Sequence, residues 1–245
     1  TRSGNASCKI GNKMTVQEHK SAHVAMATPF EVLIASDSAT YARQIAQVAF
    51  AEIDRLEKSL SRFVHSSDIA QINHFGGREP VRVNIETIEC LRMAEKYRQE
   101  THGAFDITRA GKQVHLCEDS FTVRLQDEET NLDLGGIGKG YALDKAAELL
   151  AEWDVESALL HGGESSALAI GAPPGKKGWI LGVGAGVDDP KEKRHIALCD
   201  SAISASGTEL KGEHIQDPRT GRPAEGAIRV WVAAPEAVVT DILAT

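Results

Sequence analysis

A run of glycines opening a helix constrains this chain more than any other feature. Residues 131–150 read NLDLGGIGKGYALDKAAELL, with glycines at 135, 136, 138 and 140 and an amphipathic run directly after them. Glycine admits crowded or left-handed backbone and lets a neighbour approach with no Cβ in the way. Leu143, Ala146, Ala147 and Leu150 recur at helical spacing, which predicts a helix over Tyr141–Glu152 with those side chains inward. Exposed N–H groups at the start of that helix, with Lys139 beside them, would make a seat for an anion. The alternative is a turn that only lets a helix pack close to a strand. The glycines alone weigh the two readings about equally.

Two known phosphate loops do not fit. The G-x-x-x-x-G-K-[ST] pattern fails because Gly140 follows Lys139 where a metal-binding hydroxyl belongs, and Asp133 fills the first-glycine slot. The G-x-G-x-x-G fingerprint fails on spacing, and no βαβ unit surrounds the loop.

Around this turn, His23–Ala35 reads as a strand, Ser38–Arg62 as a long amphipathic helix and Ser66-Ser-Asp as an N-cap cluster for a short turn near Ile69. A further helix is predicted over Asn84–Thr101. Strands are expected at Phe121–Leu125 and Asn131–Leu134. The second half is strand-rich, at Ser157–His161, Ala167–Ile170, Trp179–Val183, Ile196–Cys199, from Ile203 and at Ile228–Ala233, with Pro173-Pro-Gly-Lys-Lys-Gly as a hairpin loop. The pattern predicts an α+β fold, helices packed on a mostly antiparallel sheet, as one domain over 23–245. Residues 1–22 are polar, lack apolar periodicity and are expected to form a flexible lead.

Several functions are disfavoured at this level. A net charge of −8 argues against a general nucleic-acid binder, and no apolar run is long enough to span a bilayer. Cys8, Cys90, Cys117 and Cys199 are scattered, with neither zinc spacing nor a disulfide framework.

Three further stretches carry possible chemistry. His161-Gly-Gly-Glu looks like an esterase oxyanion loop, but no G-x-S-x-G elbow accompanies it, so a strand-end turn is expected. In HIQDPRTGRP (214–223) turn chemistry accounts for Asp217-Pro218 and Thr220-Gly221 but not for His214. In the C-terminal VVTDILAT, Asp241 and Thr245 are four apart and share a face of any helix. Hard oxygens of that kind suit Mg²⁺ or Ca²⁺, although two oxygens on a helix are commonplace.

Order adds what single motifs lack. MATP (26–29), LSRFVHSSDIAQIN (60–73), GAFDIT (103–108), LDLGGIGKGYALD (132–144), HGGE (161–164), SASG (204–207), HIQDPRTGRP (214–223) and TDILAT (240–245) follow one another along the chain. Together they resemble the ApbE-like family, the FAD:protein FMN transferases, from about His23 onward. The resemblance implies a T-fold-like α+β domain and a Mg²⁺-dependent reaction. FAD is split, FMN passes to a Ser or Thr hydroxyl of an acceptor flavoprotein, and AMP leaves. By the same resemblance Met26, Phe63, Ala104, Phe105, Asp106, Asp133, Lys139 and Ile215 line the FAD site, with Phe63 where relatives commonly place tyrosine. Gly136, Asp241, Ala244 and Thr245 are the implied Mg²⁺ ligands, and His214 the implied base. It also implies an extracytoplasmic location, periplasmic or lipoprotein-anchored. Three alternatives stand beside transfer: a purely structural α+β domain, an FAD pyrophosphatase and a non-catalytic FAD-binding protein. One departure favours the latter: Arg109–Thr130 is shorter than the family's corresponding segment and lacks its Pro-Leu and tryptophan.

Overall fold

The computed structural model describes residues 16–183, 194–207, 216–224 and 229–245. The first half runs β1 (Gln17–Ala25), β2 (Thr28–Ser36), α1 (Ala39–Leu60), α2 (Asp68–Phe75), β3 (Val81–Arg82), α3 (Ile85–Glu100), β4 (Val114–Cys117), β5 (Thr122–Leu125) and α4 (Gly138–Glu152). Then follow β6 (Ala158–Gly162), β7 (Ser166–Ile170), β8 (Trp179–Val183), β9 (Arg194–Leu198), β10 (Ser201–Gly207), β11 (Gln216–Asp217), β12 (Arg222–Pro223), β13 (Arg229–Ala234) and α5 (Ala237–Ala244).

The frame is a six-stranded sheet in the order β1-β2-β6-β7-β10-β13, antiparallel at every pairing. Strand alternation gives this sheet two apolar faces. From β2, Phe30, Val32 and Ile34 enter the main core with α1, α4 and α5 residues such as Ile53, Leu143 and Ile242. Leu33 and Ala35 point the other way and meet Leu159, Ala169 and Ile203, over which Trp179 and Leu198 of the β8–β9 hairpin close. Helices therefore cover one face and a hairpin the other. A small sheet, β3-β5-β4, and the β11–β12 pair complete the described strands.

Local sequence accounts for most elements. Ile45, Ala49, Phe50, Ile53, Leu56 and Leu60 are the buried stripe of α1, and Ser38 Oγ caps it by accepting from the N–H of Tyr41 at 3.2 Å. Ile53 has no solvent exposure, and truncating it to alanine would cost about 2–5 kcal/mol. Ser67 caps α2 through the Ala70 N–H at 3.0 Å.

Four expectations need correction. His23–Ala35 is not one strand but parts of two, because Met26 and Ala27 both adopt left-handed φ (50° and 56°) and fold β1 back on β2. That two-residue turn carries no Gly or Asn to announce it. The lead expected over 1–22 gives way at Gln17, where β1 pairs with β2; residues 1–15 lie outside the described ones. Asn131–Leu134 is not a strand. A side chain replaces the strand partner there: Asn73 Nδ2 donates to the Leu132 carbonyl (3.0 Å) and its Oδ1 accepts the Leu132 N–H (2.7 Å). Finally, the 173–178 loop is no hairpin turn, since β7 belongs to the main sheet and β8 to the covering pair.

Candidate active site

The glycine turn stands between two aspartates with different surroundings. Asp241, on α5, is buried at 6% exposure. Its Oδ1 accepts from the hydroxyls of Ser166 (2.6 Å) and Ser204 (2.8 Å), and Oδ2 accepts from the Gly140 N–H (2.7 Å). Ser166 opens β7 and Ser204 lies on β10 directly opposite it, so the sheet itself aims both hydroxyls at this carboxylate. Three of roughly four acceptor positions are filled, which leaves one on Oδ2. Among the described residues its one ion pair is with Lys139, whose Nζ stands 3.9 Å from Oδ2, beyond hydrogen-bond distance. A buried carboxylate held by neutral donors is costly without a cation close by, so the corner favours a metal or a swung-in ammonium.

One turn of helix on, Thr245 Oγ1 donates to the Asp241 carbonyl at 2.9 Å. Its side chain lies against Gly136, where an added Cβ would come within 3.0 Å of Thr245 Oγ1. At Gly140 a Cβ would sit 2.3 Å from the Ala237 carbonyl oxygen. These two glycines therefore serve close packing, the bland reading of the loop, and that packing is what brings α5 and its oxygens to the turn. Gly136, Asp241 and Thr245 come together with Lys139, and Ala244 is buried beside them.

Asp133 lies three residues before Gly136 and faces a different environment. Its Oδ2 pairs with Arg109 Nη2 at 2.6 Å and stands 3.5 Å from Arg62 Nε, while Oδ1 accepts the Gly135 N–H at 2.9 Å. Arg62 also lies over the ring of Phe63, 4.4 Å from its centroid, and that ring is 78% exposed. These residues border an open cleft of about 770 Å³, lined by Arg62, His65, Asn73, Thr108, Arg109 and Asp133 among others. Two guanidiniums against one carboxylate give its mouth a positive balance in a chain of net charge −8. An aromatic ring stacked by arginine beside it suits a planar, anionic ligand.

The loop before Arg109 is wound around Asp106. That buried carboxylate accepts from the Thr108 N–H (2.8 Å), the Thr108 hydroxyl (2.8 Å) and the Gly111 N–H (2.7 Å). Arg109 takes a φ of 55° inside this loop, an unfavourable region for a non-glycine residue, and is thereby turned toward Asp133. Among the other implied site residues, Phe105 is a core side chain, Ala104 is exposed and Met26 occupies the β1–β2 turn against the main core. His214 and Ile215 lie outside the described residues. His161 and Gly162 end β6, and Gly163 (φ 67°) turns the chain into β7, the strand-end role expected of them. Sequence reasoning passed over Ser166, Ser204, Arg62 and Asn73. The SASG and LSRFVHSSDIAQIN motifs hold Ser204, Arg62 and Asn73, but nothing local signals their partners.

An antiparallel sheet with helices on one face, carrying a hard-oxygen corner beside an arginine-lined cleft, defines an α+β protein suited to phosphate-bearing ligands. The particular family follows from comparison: residues 26–117 and 109–245 match the model of the ApbE family, and the chain belongs to that family. It is 28% identical to an FAD:protein FMN transferase of Klebsiella pneumoniae (strain 342), over 91% of this chain and 79% of that one. To an FAD:protein FMN transferase of Treponema pallidum (strain Nichols) it is 26% identical, over 99% and 81% respectively. The crystal structure of the ApbE protein from Thermotoga maritima superposes with a TM-score of 0.80 at 25% identity, covering 93% of this chain and 85% of that one.

Proposed function

We propose that this chain is an FAD:protein FMN transferase that uses a divalent metal, Mg²⁺ by its ligand chemistry, and hands FMN to a Ser or Thr hydroxyl of an acceptor flavoprotein. The observation that carries the reading is the meeting of Asp241, Thr245 and Gly136 at one end of the glycine turn whose other end, Asp133, borders the arginine cleft. A single carboxylate with neutral oxygens is the donor set expected where substrate phosphates complete the shell of Mg²⁺.

In this reading Asp241, Thr245 and the Gly136 and Ala244 backbones would hold the metal, which would neutralise charge on the diphosphate. Lys139 supplies a second cation on the leaving side. Arg62 and Arg109 draw the dinucleotide into the cleft, and Phe63 stacks on one of its rings. The acceptor hydroxyl oxygen forms a bond to the FMN phosphorus as the bond from that phosphorus to the bridging oxygen breaks. AMP departs with the bridging oxygen. His214 is the proposed base that takes the hydroxyl proton; phosphoryl transfer asks the rest of the protein mainly for positioning and charge.

The test is incubation with FAD, Mg²⁺ and a Thr-containing acceptor peptide, read by mass spectrometry. An FMN adduct on the peptide with stoichiometric AMP supports the reading. AMP without adduct would make the chain a pyrophosphatase, and binding of FAD with no AMP would make it a carrier.

A further inference from the structure

Helix α5 carries Asp241 and Thr245 yet has no N-terminal cap of its own. Glu236, at the capping position, makes no side-chain cap hydrogen bond, and the first turn contains no acidic residue. The first N–H groups of a helix have no intrahelical acceptor and need one from elsewhere. Here it comes from another helix: Asp144 of α4 accepts the Ala237 N–H through Oδ1 at 2.7 Å and the Val238 N–H through Oδ2 at 2.8 Å. A negative charge at that end also complements the helix dipole.

The same two helices meet again one turn away, where the Gly140 N–H donates to Asp241 Oδ2 and leaves no room for a Cβ against Ala237. One face of α4 thus holds α5 at two points. The Gly140 N–H fixes the carboxylate, and Asp144 fixes the start of the helix that delivers it. The first N–H groups of α5 thus find their acceptor on α4, so the placement of its start depends on this tie.

We infer that Asp144 is a positioning residue for the metal site: by capping α5 from α4 it sets where Asp241 and Thr245 stand relative to Gly136. The inference rests on the metal reading above and concerns a residue outside the ligand set. Asp144 touches neither the cleft nor the ligands, so its removal should loosen the site without altering FAD recognition by the arginines.

The experiment is calorimetric titration of Mg²⁺ into wild-type, Asp144→Ala, Asp144→Asn and Asp241→Ala proteins, with FAD affinity measured in the absence of metal. Asp144→Ala should bind Mg²⁺ about 10-fold or more weakly, the usual range for outer-shell partners. Its FAD affinity without metal should stay at the wild-type value. In turnover, KM for Mg²⁺ should rise while kcat at saturating Mg²⁺ recovers. Asp144→Asn retains an acceptor oxygen and should fall between wild type and Asp144→Ala. A purely structural role would lower the melting temperature with the Mg²⁺ Kd unmoved, and that result overturns the inference. Should Asp144→Ala fail to fold, an unchanged Mg²⁺ Kd in Asp144→Asn overturns it equally. If wild type and Asp241→Ala differ in Mg²⁺ binding but the Asp144 variants do not, only this inference fails. If wild type binds no Mg²⁺, the metal reading fails first and this inference goes with it.

Discussion

Asp133 and Asp241 flank the same glycine turn, and their neighbours differ in kind. Asp133 is answered by two guanidiniums and sits at the edge of an open cleft. Asp241 is buried and answered by two hydroxyls and a backbone N–H, with the Lys139 ammonium held off at 3.9 Å. One carboxylate is over-neutralised, so its surroundings favour an anion. The other is under-neutralised, so its surroundings favour a cation. Side-chain type alone is uninformative here; the charge left over after the neighbours are counted tells the two carboxylates apart.

The largest effect expected from breaking this contrast is at Asp241. Asp241→Ala should reduce Mg²⁺-dependent AMP release by about 10³-fold, on the scale of losing a fixed electrostatic stabiliser. AMP release followed over a Mg²⁺ titration checks it, and full activity at ordinary Mg²⁺ would remove α5 from the metal site. Asp133→Asn should leave Mg²⁺ dependence intact by comparison.

Next in size is Gly140→Ala, whose methyl group would meet the Ala237 carbonyl at 2.3 Å. Overpacking of this kind typically costs about 1–3 kcal/mol, readable as a shifted denaturation midpoint. Gly111→Ala, with nothing within 4 Å of the added carbon, offers the control for strain alone, since its φ is 65°. A midpoint equal to wild type for Gly140→Ala would mean that α4 and α5 are not in contact there.

A pH experiment sharpens the contrast through a third aspartate. Burial pushes the Asp144 carboxyl up to about 6, partly opposed by its hydrogen bonds from the Val238 and Ala237 N–H groups. Because the folded pKa lies above the unfolded one, the native state holds this proton more tightly. That contribution is complete below pH about 3.9 and is lost as pH rises through about 6. The difference in stability between wild type and Asp144→Asn should therefore change across pH 4–6 and level off above. A difference that is flat in that window would show the carboxyl to be unshifted.

The smallest expected effect lies in the cleft. Arg109 is 55% exposed, so its pairing with Asp133 is screened by solvent. Arg109→Ala should weaken FAD binding by about 10-fold at most, more at low salt than at high, with kcat little changed. Salt-independent binding in the variant and wild type alike would separate the arginines from the ligand.

The sequence made the helices and most main-sheet strands readable because their apolar spacing is local: Ile45 to Leu60 declares α1 without help from the rest of the chain. Met26 and Ala27 did not declare their turn, since neither residue favours the left-handed backbone they adopt. The segment around Leu132 is no strand because its backbone pairs with the side-chain amide of Asn73, 59 residues away, a partner that nothing local signals. In the site, Asp241 and the glycines stood out through their order along the chain. Ser166, Ser204 and the Arg62–Asp133–Arg109 grouping did not, because they meet only through folding. The stretch after Thr108 gains meaning the same way: it begins with Arg109, turned toward Asp133 by a loop wound on Asp106.

The hydrogen bond between Gly140 and Asp241 spans 101 residues, which matters while the protein is being made. At synthesis rates of about 5–20 residues per second, the glycine turn leaves the ribosome roughly 5–20 seconds before the carboxylate it serves. Throughout that interval the turn has Lys139 and the Asp133 carboxylate beside Gly135, but the Gly140 N–H lacks the acceptor it has in the folded chain. The buried corner around Asp241 therefore assembles only when α5 docks on α4.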